Sequence, residues 1–374
     1  MAIRFQIRHQ QQAARLGELS TPHGVVETPM FMPVGTAATV KGLTPHQLHE
    51  LGAKILLGNT YHLALRPGDT LIAELGGLHR FMNWPGPILT DSGGYQVFSL
   101  AEARKLTDQG VLFKSHIDGA ILELTPERAV EIQEHLGSDI AMVLDECPPA
   151  DADEAAMRSA IVRSIRWAER CQTHHRRADQ ALFAIVQGGT RLDLREECAR
   201  ELVAMRFPGY ALGGFSVGEA PEAMHAALPE CAAMLPSEKP RYLMGVGRPQ
   251  DLLIGIAAGI DLFDCVMPTR SGRNALAFTR RGPMRLRNAR HRRDPQPLDP
   301  SCACYCCRNF SRAYLHHLFA AEEMLGPTLL SLHNLAYYLQ LMADARQAIR
   351  DDRFPAFYAD CQAGWLSETA SDAG

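Results

Sequence analysis

The chain has 374 residues, 46% hydrophobic composition and a formal net charge of −4. That apolar content suffices for a large core and argues against a disordered chain. No stretch approaches the ~18 uninterrupted apolar residues of a membrane span. The N-terminal MAIRFQIRHQQQ lacks the apolar run of a secretory signal, so the expectation is a soluble cytoplasmic protein.

In chain order, residues 4–28 read as a hairpin covering the floor of the main fold. Eight short apolar runs come next, at 30–34, 55–57, 88–89, 140–144, 182–186, 210–212, 242–244 and 262–266. Each ends in a small or polar cluster. Apolar runs without alternation are the pattern of buried parallel strands. The intervening segments read as helices. Thr44 precedes Pro45, with Gly52 after the last turn. Thr125 precedes Pro126 and Glu127, and Gly137 ends that segment. Residues 151–171 carry acids in the first turn, and 249–258 closes at Gly259. Eight strand–helix units predict an α/β fold, a (β/α)8 TIM barrel. An open doubly wound sheet is the alternative, disfavoured by the number of units and by the missing dinucleotide fingerprint. Asp118-Gly119 marks a second hairpin over 113–124, inserted between barrel units. Past residue 274 the period changes. Short strands at 277–279 and 284–286 precede a cysteine cluster, then helices run to about 350. The division expected is 1–274, barrel with N-terminal hairpin and catalytic site, and 275–374, a helical metal-binding subdomain docked on it. The last ten or so residues, small and acidic, read as frayed.

Barrel active sites form at the C-terminal ends of the strands. The residues there are Asn59, Asp91, Asp145, Gln187, Gly213, Gly214, Gly245 and Asp264. Two carboxylates can share work at a glycosidic carbon, one as nucleophile and one as acid/base. A third carboxylate and an amide can hydrogen-bond the edge of a heterocycle. The plainer reading of Asp91 is a helix cap, because Ser92-Gly93-Gly94 is good turn chemistry.

Six of the ten cysteines are scattered: Cys147, Cys171, Cys198, Cys231, Cys265 and Cys361. These read as reduced core thiols. Cys302, Cys304, Cys306 and Cys307 share one tight loop, which points to metal rather than disulfide. His333 makes a Cys3His set, an ordinary structural zinc site; His316, His317 and Cys306 are competing ligands. Between Arg270 and Arg293 stand nine Arg and no acid, leaving −13 on the rest, the difference between −4 and +9. A basic stretch just past the Asp264 strand suits a polyanion such as nucleic acid.

These motifs, Gly-Asn-Thr-Tyr-His (58–62), Thr-Asp-Ser-Gly-Gly-Tyr-Gln (90–96), Leu-Asp-Glu-Cys (144–147), Val-Gln-Gly-Gly (186–189), Gly-Gly-Phe-Ser-Val-Gly-Glu (213–219), Leu-Met-Gly-Val-Gly (243–247) and Phe-Asp-Cys-Val-Met-Pro-Thr-Arg (263–270), together with Cys302, Cys304, Cys307 and His333, resemble the bacterial tRNA-guanine transglycosylases over nearly the whole chain. The resemblance implies Asp264 as the nucleophile that forms a covalent tRNA intermediate and Asp91 as acid/base. It implies a base pocket of Asp91, Ser92, Gly93, Gly94, Tyr95, Asp145, Cys147, Gln187, Gly214, Val217 and Met244, with Tyr95 and Met244 stacking on the base. Two segments would contact tRNA: Gly245, Val246, Gly247, Arg248, Pro249, Gln250 and Asp251; and Thr269, Arg270, Ser271, Gly272 and Arg273. Zinc would fall on Cys302, Cys304, Cys307 and His333, one structural ion per chain, with no nucleotide cofactor. The implied partners are tRNA with G34 in its anticodon, guanine, 7-aminomethyl-7-deazaguanine and a second copy of the chain. Phe215 departs from the family, where Leu is expected. A catalytically silent RNA-binding subunit would lack Asp264 or the metal set, and both are present. A sugar hydrolase would leave the Arg stretch unused and has only 7% aromatic content to draw on.

Overall fold

The computed structural model describes residues 2–100 and 104–369. Its centre is a parallel sheet of nine strand segments. The two ends of that sheet, Met30–Met32 and Val34–Gly35, are halves of one strand interrupted at Pro33. The first half pairs with Leu262–Asp264 and the second with Leu56–Gly58, so the sheet closes into a barrel of eight strands. The others in order are Ile88–Thr90, Ile140–Met142, Ala181–Val186, Tyr210–Leu212 and Arg241–Leu243. Every barrel strand matches a predicted run to within two residues at each end. Side chains of these runs are buried on both faces, inside against the barrel axis and outside against helices, which is why they lack alternation.

The helix punctuation acts as its chemistry requires. Thr44 and Gln47 form a capping box at Pro45–Glu50. Thr125 Oγ1 accepts the Arg128 N–H at Pro126–Leu136, and Gly137 ends that helix at φ 72°. The long helix runs Glu154–His174, its N-cap Asp153 accepting from Ala156 N at 2.8 Å. The segment 249–258 is the helix Pro249–Ala257.

Three expectations need correction. The N-terminal unit is a three-stranded antiparallel sheet, not a hairpin, because Gly24–Thr28 folds back on Ala14–Thr21. The insertion is also three-stranded: Arg104–Leu106 precedes the hairpin strands Val111–Lys114 and Ile121–Leu124. The C-terminal segment is helical over Phe354–Thr369 rather than frayed, anchored by buried Trp365, whose Nε1 donates to Tyr337 Oη at 2.8 Å. Residues 370–374 of that expectation lie outside the described residues.

The N-terminal sheet is fastened under the barrel by two buried carboxylates at strand starts. Arg15 pairs with Asp261 and also donates to Ser237 O and Lys239 O at 2.7 and 2.8 Å. Asp139 accepts from His23 Nδ1 at 2.8 Å and His79 Nε2 at 3.0 Å, the two rings stacked 3.6 Å apart. The helix Leu325–Arg350 packs on the hairpin Leu276–Thr279 and Gly282–Arg285, on the helix Met267–Arg273, on the first barrel strand Met30–Met32 and on the N-terminal sheet.

Candidate active site and metal centre

Three carboxylates gather at the C-terminal rim, each held by neutral donors. Asp91 follows the strand Ile88–Thr90. Its Oδ1 accepts the Thr60 N–H at 2.8 Å, and its Oδ2 accepts from Gln96 Nε2 at 2.8 Å and from Asn59 Nδ2. Thr60 opens the helix Thr60–Leu65, whose N-cap Asn59 makes no side-chain cap bond. Asp91 therefore does cap a helix, but that of the preceding barrel unit rather than its own. Burial pushes its carboxyl up to about 6, and the Asp264 charge adds to the rise. Asp145 accepts from Gln187 Nε2 at 2.6 Å and Ser92 Oγ at 3.2 Å. Burial pushes it up to about 6 as well.

Asp264 ends the last strand. Its Oδ1 accepts from Tyr242 Oη at 2.6 Å and from the Gly245 N–H at 2.8 Å. Its Oδ2 has no hydrogen bond among the described residues. Burial raises its carboxyl above the usual range, while the two donors lower it. One oxygen is thus fixed and the other is offered to the rim.

Between Asp145 and Asp264 lies a turn built on glycine. Gly214 sits at φ 67°, and a Cβ there would stand 2.3 Å from Gln187 Oε1. At Gly213 a Cβ would meet Gln187 Nε2 at 2.7 Å. Only a bare backbone lets the Gln187 amide lie against this turn. Glu219 holds the next residues by accepting from Ser216 N and from Val217 N at 3.0 Å. Cys147 and Val217 are both half-buried. Burial pushes the Cys147 thiol up to about 12, so it is neutral and no nucleophile. Gly93 and Gly94 precede exposed Tyr95 on the helix Gly94–Leu100. Met244 is half-buried at the end of Arg241–Leu243.

The two segments expected to meet RNA divide by exposure. In the first, Gly245 and Arg248 are exposed and Gln250 partly so. Val246, Gly247, Pro249 and Asp251 are buried. Asp251 accepts from His225 at 2.8 Å, and Gly247 O accepts from Tyr338 Oη at 2.5 Å. In the second, the helix Met267–Arg273 presents Arg270 to solvent, with Ser271 and Arg273 half-buried. Thr269 and Gly272 are buried; a Cβ on Gly272 would strike Ser331 N at 2.7 Å. Arg280, Arg281, Arg285, Arg287, Arg290, Arg292 and Arg293 are all exposed.

The cysteine cluster converges as predicted. Ligand atoms of Cys302, Cys304, Cys307 and His333 lie within 4.8 Å of one another. The sulfurs stand 3.8, 3.6 and 3.3 Å from His333 Nδ1. A tetrahedral zinc with bonds of ~2.3 Å to sulfur and ~2.05 Å to nitrogen requires about 3.5 Å. His333 Nε2 contacts Phe278 O at 2.9 Å. A carbonyl only accepts, so the proton is on Nε2 and the Nδ1 lone pair faces the thiols. Cys304 also caps the short helix Tyr305–Asn309. Cys306 is buried outside the cluster, and His316 bonds Leu286 O instead. The group joins three pieces of the tail: the cysteine loop, the long helix and the hairpin. The next residue, Asn334, donates to Pro268 O and Leu276 O at 2.9 Å each, carrying the connection to the segment after Asp264.

Tyr242, Thr60, Gln96 and Glu219 were not singled out from sequence, and Asn59 had no role there. Tyr242 was findable: it lies two residues before Met244 on a strand, and so on the same face.

A (β/α)8 barrel with unpaired carboxylates at its rim and a closed Cys3His cluster in its tail defines a barrel enzyme with a structural metal-type site. The profile of the family described as queuine tRNA-ribosyltransferase matches residues 10–367. Proteins called queuine tRNA-ribosyltransferase from Synechococcus elongatus (55% identical, 99% of this chain and 96% of the relative), Pelotomaculum thermopropionicum (55%, 96% and 98%) and Desulforamulus reducens (53%, 96% and 97%) are similar throughout. The chain belongs to the queuine tRNA-ribosyltransferase family and is a transferase of the tRNA-guanine transglycosylase class. No helix among the described residues is long and apolar enough to cross a membrane.

Proposed function

We propose that the chain exchanges guanine at wobble position 34 of tRNAs with GUN anticodons (Asp, Asn, His and Tyr) for 7-aminomethyl-7-deazaguanine, in the cytoplasm, by double displacement. The observation that carries this reading is Asp264: Oδ1 is held by Tyr242 and Gly245, and Oδ2 is unbonded among the described residues. A carboxylate fixed at one oxygen offers the other to C1′ of the nucleotide. The Oδ2–C1′ bond forms as the glycosidic bond breaks, its electron pair leaving with guanine. The incoming base then attacks C1′ and expels the carboxylate, with net retention. Asp91 gives the departing base its proton and takes one from the incoming base. A carboxyl at about 6 is close to the working pH, as that role requires. Asp145, Gln187 and the Gly214 backbone hold the edge of the base, and Tyr95 and Met244 its faces. The exposed arginines at 280–293 meet the RNA backbone, while Arg270 and Arg273 bear on which anticodon is accepted.

Labelled guanine incubated with G34 tRNAs tests the reading. Incorporation is expected, and tRNAs lacking G34 should not be labelled. No incorporation into any tRNA refutes it. The base preference has its own test. On this reading Val217 walls the pocket against the cyclopentenediol of queuine, so native protein should use the aminomethyl base and Val217→Gly should admit queuine. Equal use of both bases by native protein excludes Val217 as the gate.

The Cys3His group holds one structural zinc, whose binding is part of the folding free energy of the tail. Metal analysis should give about one zinc per chain, and Cys307→Ala should lose it together with tail stability. A metal-free, fully active native protein contradicts this. A ladder of partly exposed aromatic side chains, with Phe310 and Tyr314 stacked at 5.3 Å beside Tyr305 and His317, supports a homodimer. The division into 1–274 and 275–374 follows the same reading, the zinc group holding the second part together.

A further inference from the structure

One buried charge near the base pocket has no ion-pair partner among the described residues, the Glu219 carboxylate acting on it only at longer range. Arg195 is fully buried, and among the described residues it makes no ion pair. A buried guanidinium without a carboxylate is costly, so its retention asks for a local reason. Its hydrogen bonds supply one. Nε donates to Gly189 O at 2.8 Å and Nη1 to Val186 O at 2.6 Å. Those two carbonyls bracket Gln187, the amide that bonds Asp145. Cys198, one turn further along the same helix, Leu192–Ala204, receives the Gln187 N–H at 3.4 Å. Gly188 completes the wrap: a Cβ there would stand 2.9 Å from Arg195 N. The turn presenting Gln187 is moulded on Arg195.

The third nitrogen points elsewhere. Arg195 Nη2 is buried and unpartnered, and so is Gln187 Oε1. Both border the same residue, Gly214, at 3.8 and 2.3 Å from its ideal Cβ. A donor and an acceptor without partners therefore flank the backbone proposed to hold the base. The guanidinium lies 4.1 Å under the ring of Phe215, the residue that departs from the family pattern. Phe supplies a π face to an otherwise uncompensated cation, which Leu cannot do. Arg195 also lowers the Cys147 thiol, while Asp145 raises it, so both charges bear on the same wall of the pocket.

We propose that Arg195 is a positioning residue for base exchange: it clamps the Gln187 turn through two carbonyls and gives the pocket a positive floor that favours the negative charge developing on the base as the glycosidic bond breaks. A fixed charge in a dry site acts on developing charge without reorganising. The inference rests on the base-pocket reading above.

Two variants separate the parts. Arg195→Gln removes the charge. Arg195→Lys keeps it but cannot serve both carbonyls. In guanine exchange on G34 tRNA, Arg195→Gln should lose kcat on the order of tenfold or more. Arg195→Lys should keep kcat near native and chiefly raise KM for the base, on the order of tenfold. Should Arg195→Gln fail to fold, Arg195→Lys alone still decides: native KM for the base in folded Arg195→Lys overturns the clamp. Folded Arg195→Gln with native kcat overturns the positive floor. Native protein that exchanges no guanine refutes instead the functional reading on which this rests.

Discussion

The barrel buries carboxylates at both ends and treats them in opposite ways. At the floor, Asp261 is paired with Arg15, and Asp139 is shared by His23 and His79. At the rim, Asp91, Asp145 and Asp264 receive only amides, hydroxyls and backbone N–H groups. Acidity separates Asp139 from the rim, while burial raises Asp261 even beside Arg15. His79 and His23, with the Ile88 N–H, hold Asp139 below the usual carboxylate range despite its burial. Asp91 and Asp145 are pushed up to about 6. Floor carboxylates are fasteners, held by Arg15 or by imidazoles between the N-terminal sheet and the strand starts. Rim carboxylates remain able to change protonation or form a bond. Site and scaffold here differ in the partners of a residue type rather than in the residue type itself.

The largest effect on stability should come from the floor. Arg15→Met leaves Asp261 charged and unpaired in the interior, which costs about 3–5 kcal/mol. Chemical denaturation should show that loss, with kcat of the remaining folded enzyme unchanged. A stable Arg15→Met protein would mean the ion pair is not the fastener described.

At the rim the sign reverses. Asp91 holds its proton more tightly folded than unfolded. It favours folding below about pH 4 and loses that contribution as pH rises through about 6. At neutral pH its charge opposes folding. Asp91→Asn should therefore leave stability at pH 7 unchanged or higher by up to about 2 kcal/mol, while base exchange collapses. In native protein kcat/KM should fall on the acid side near pH 6. Destabilisation at pH 7 together with retained exchange would erase the contrast between rim and floor.

Tyr242→Phe removes one of the two donors on Asp264 Oδ1. A hydrogen bond to a charged group is worth about 1.5–3 kcal/mol, so kcat should drop about ten- to a hundredfold with KM for tRNA little changed. Smaller still is the effect of the basic face. Removing Arg287 and Arg290 together should lower the salt slope of tRNA binding by about one per charge without altering anticodon preference. Exposed Arg270 should instead alter which anticodon is accepted. An unchanged salt slope in the double variant would take these two arginines off the RNA path.

The same physics decides how much of this was legible in the sequence. Barrel strands declared themselves because burial on both faces demands uninterrupted apolar runs. Helix ends declared themselves through Thr44, Thr125 and Gly137, whose roles are local. The Cys302, Cys304 and Cys307 ligands sit within six residues, and geometry added only the proof that His333, not His316, completes the set. The exception is Gly24–Thr28, which folds back on Ala14–Thr21 through a local turn that went unread. Long-range pairings left no local trace. The Arg15–Asp261 pair spans 246 residues, and the Tyr242–Asp264 bond 22. Nothing in the sequence around Arg195 announces that this face of the helix Leu192–Ala204 turns inward.

The central claim is that Asp264, held at Oδ1 and unbonded at Oδ2, forms a covalent bond to tRNA. Incubating native protein with G34 tRNA, quenching in denaturant and resolving the mixture on a denaturing gel tests it directly. The account predicts a denaturant-resistant protein–tRNA adduct that is discharged by adding free base, and none with folded, tRNA-binding Asp264→Ala. An adduct that persists without the Asp264 carboxylate would contradict it.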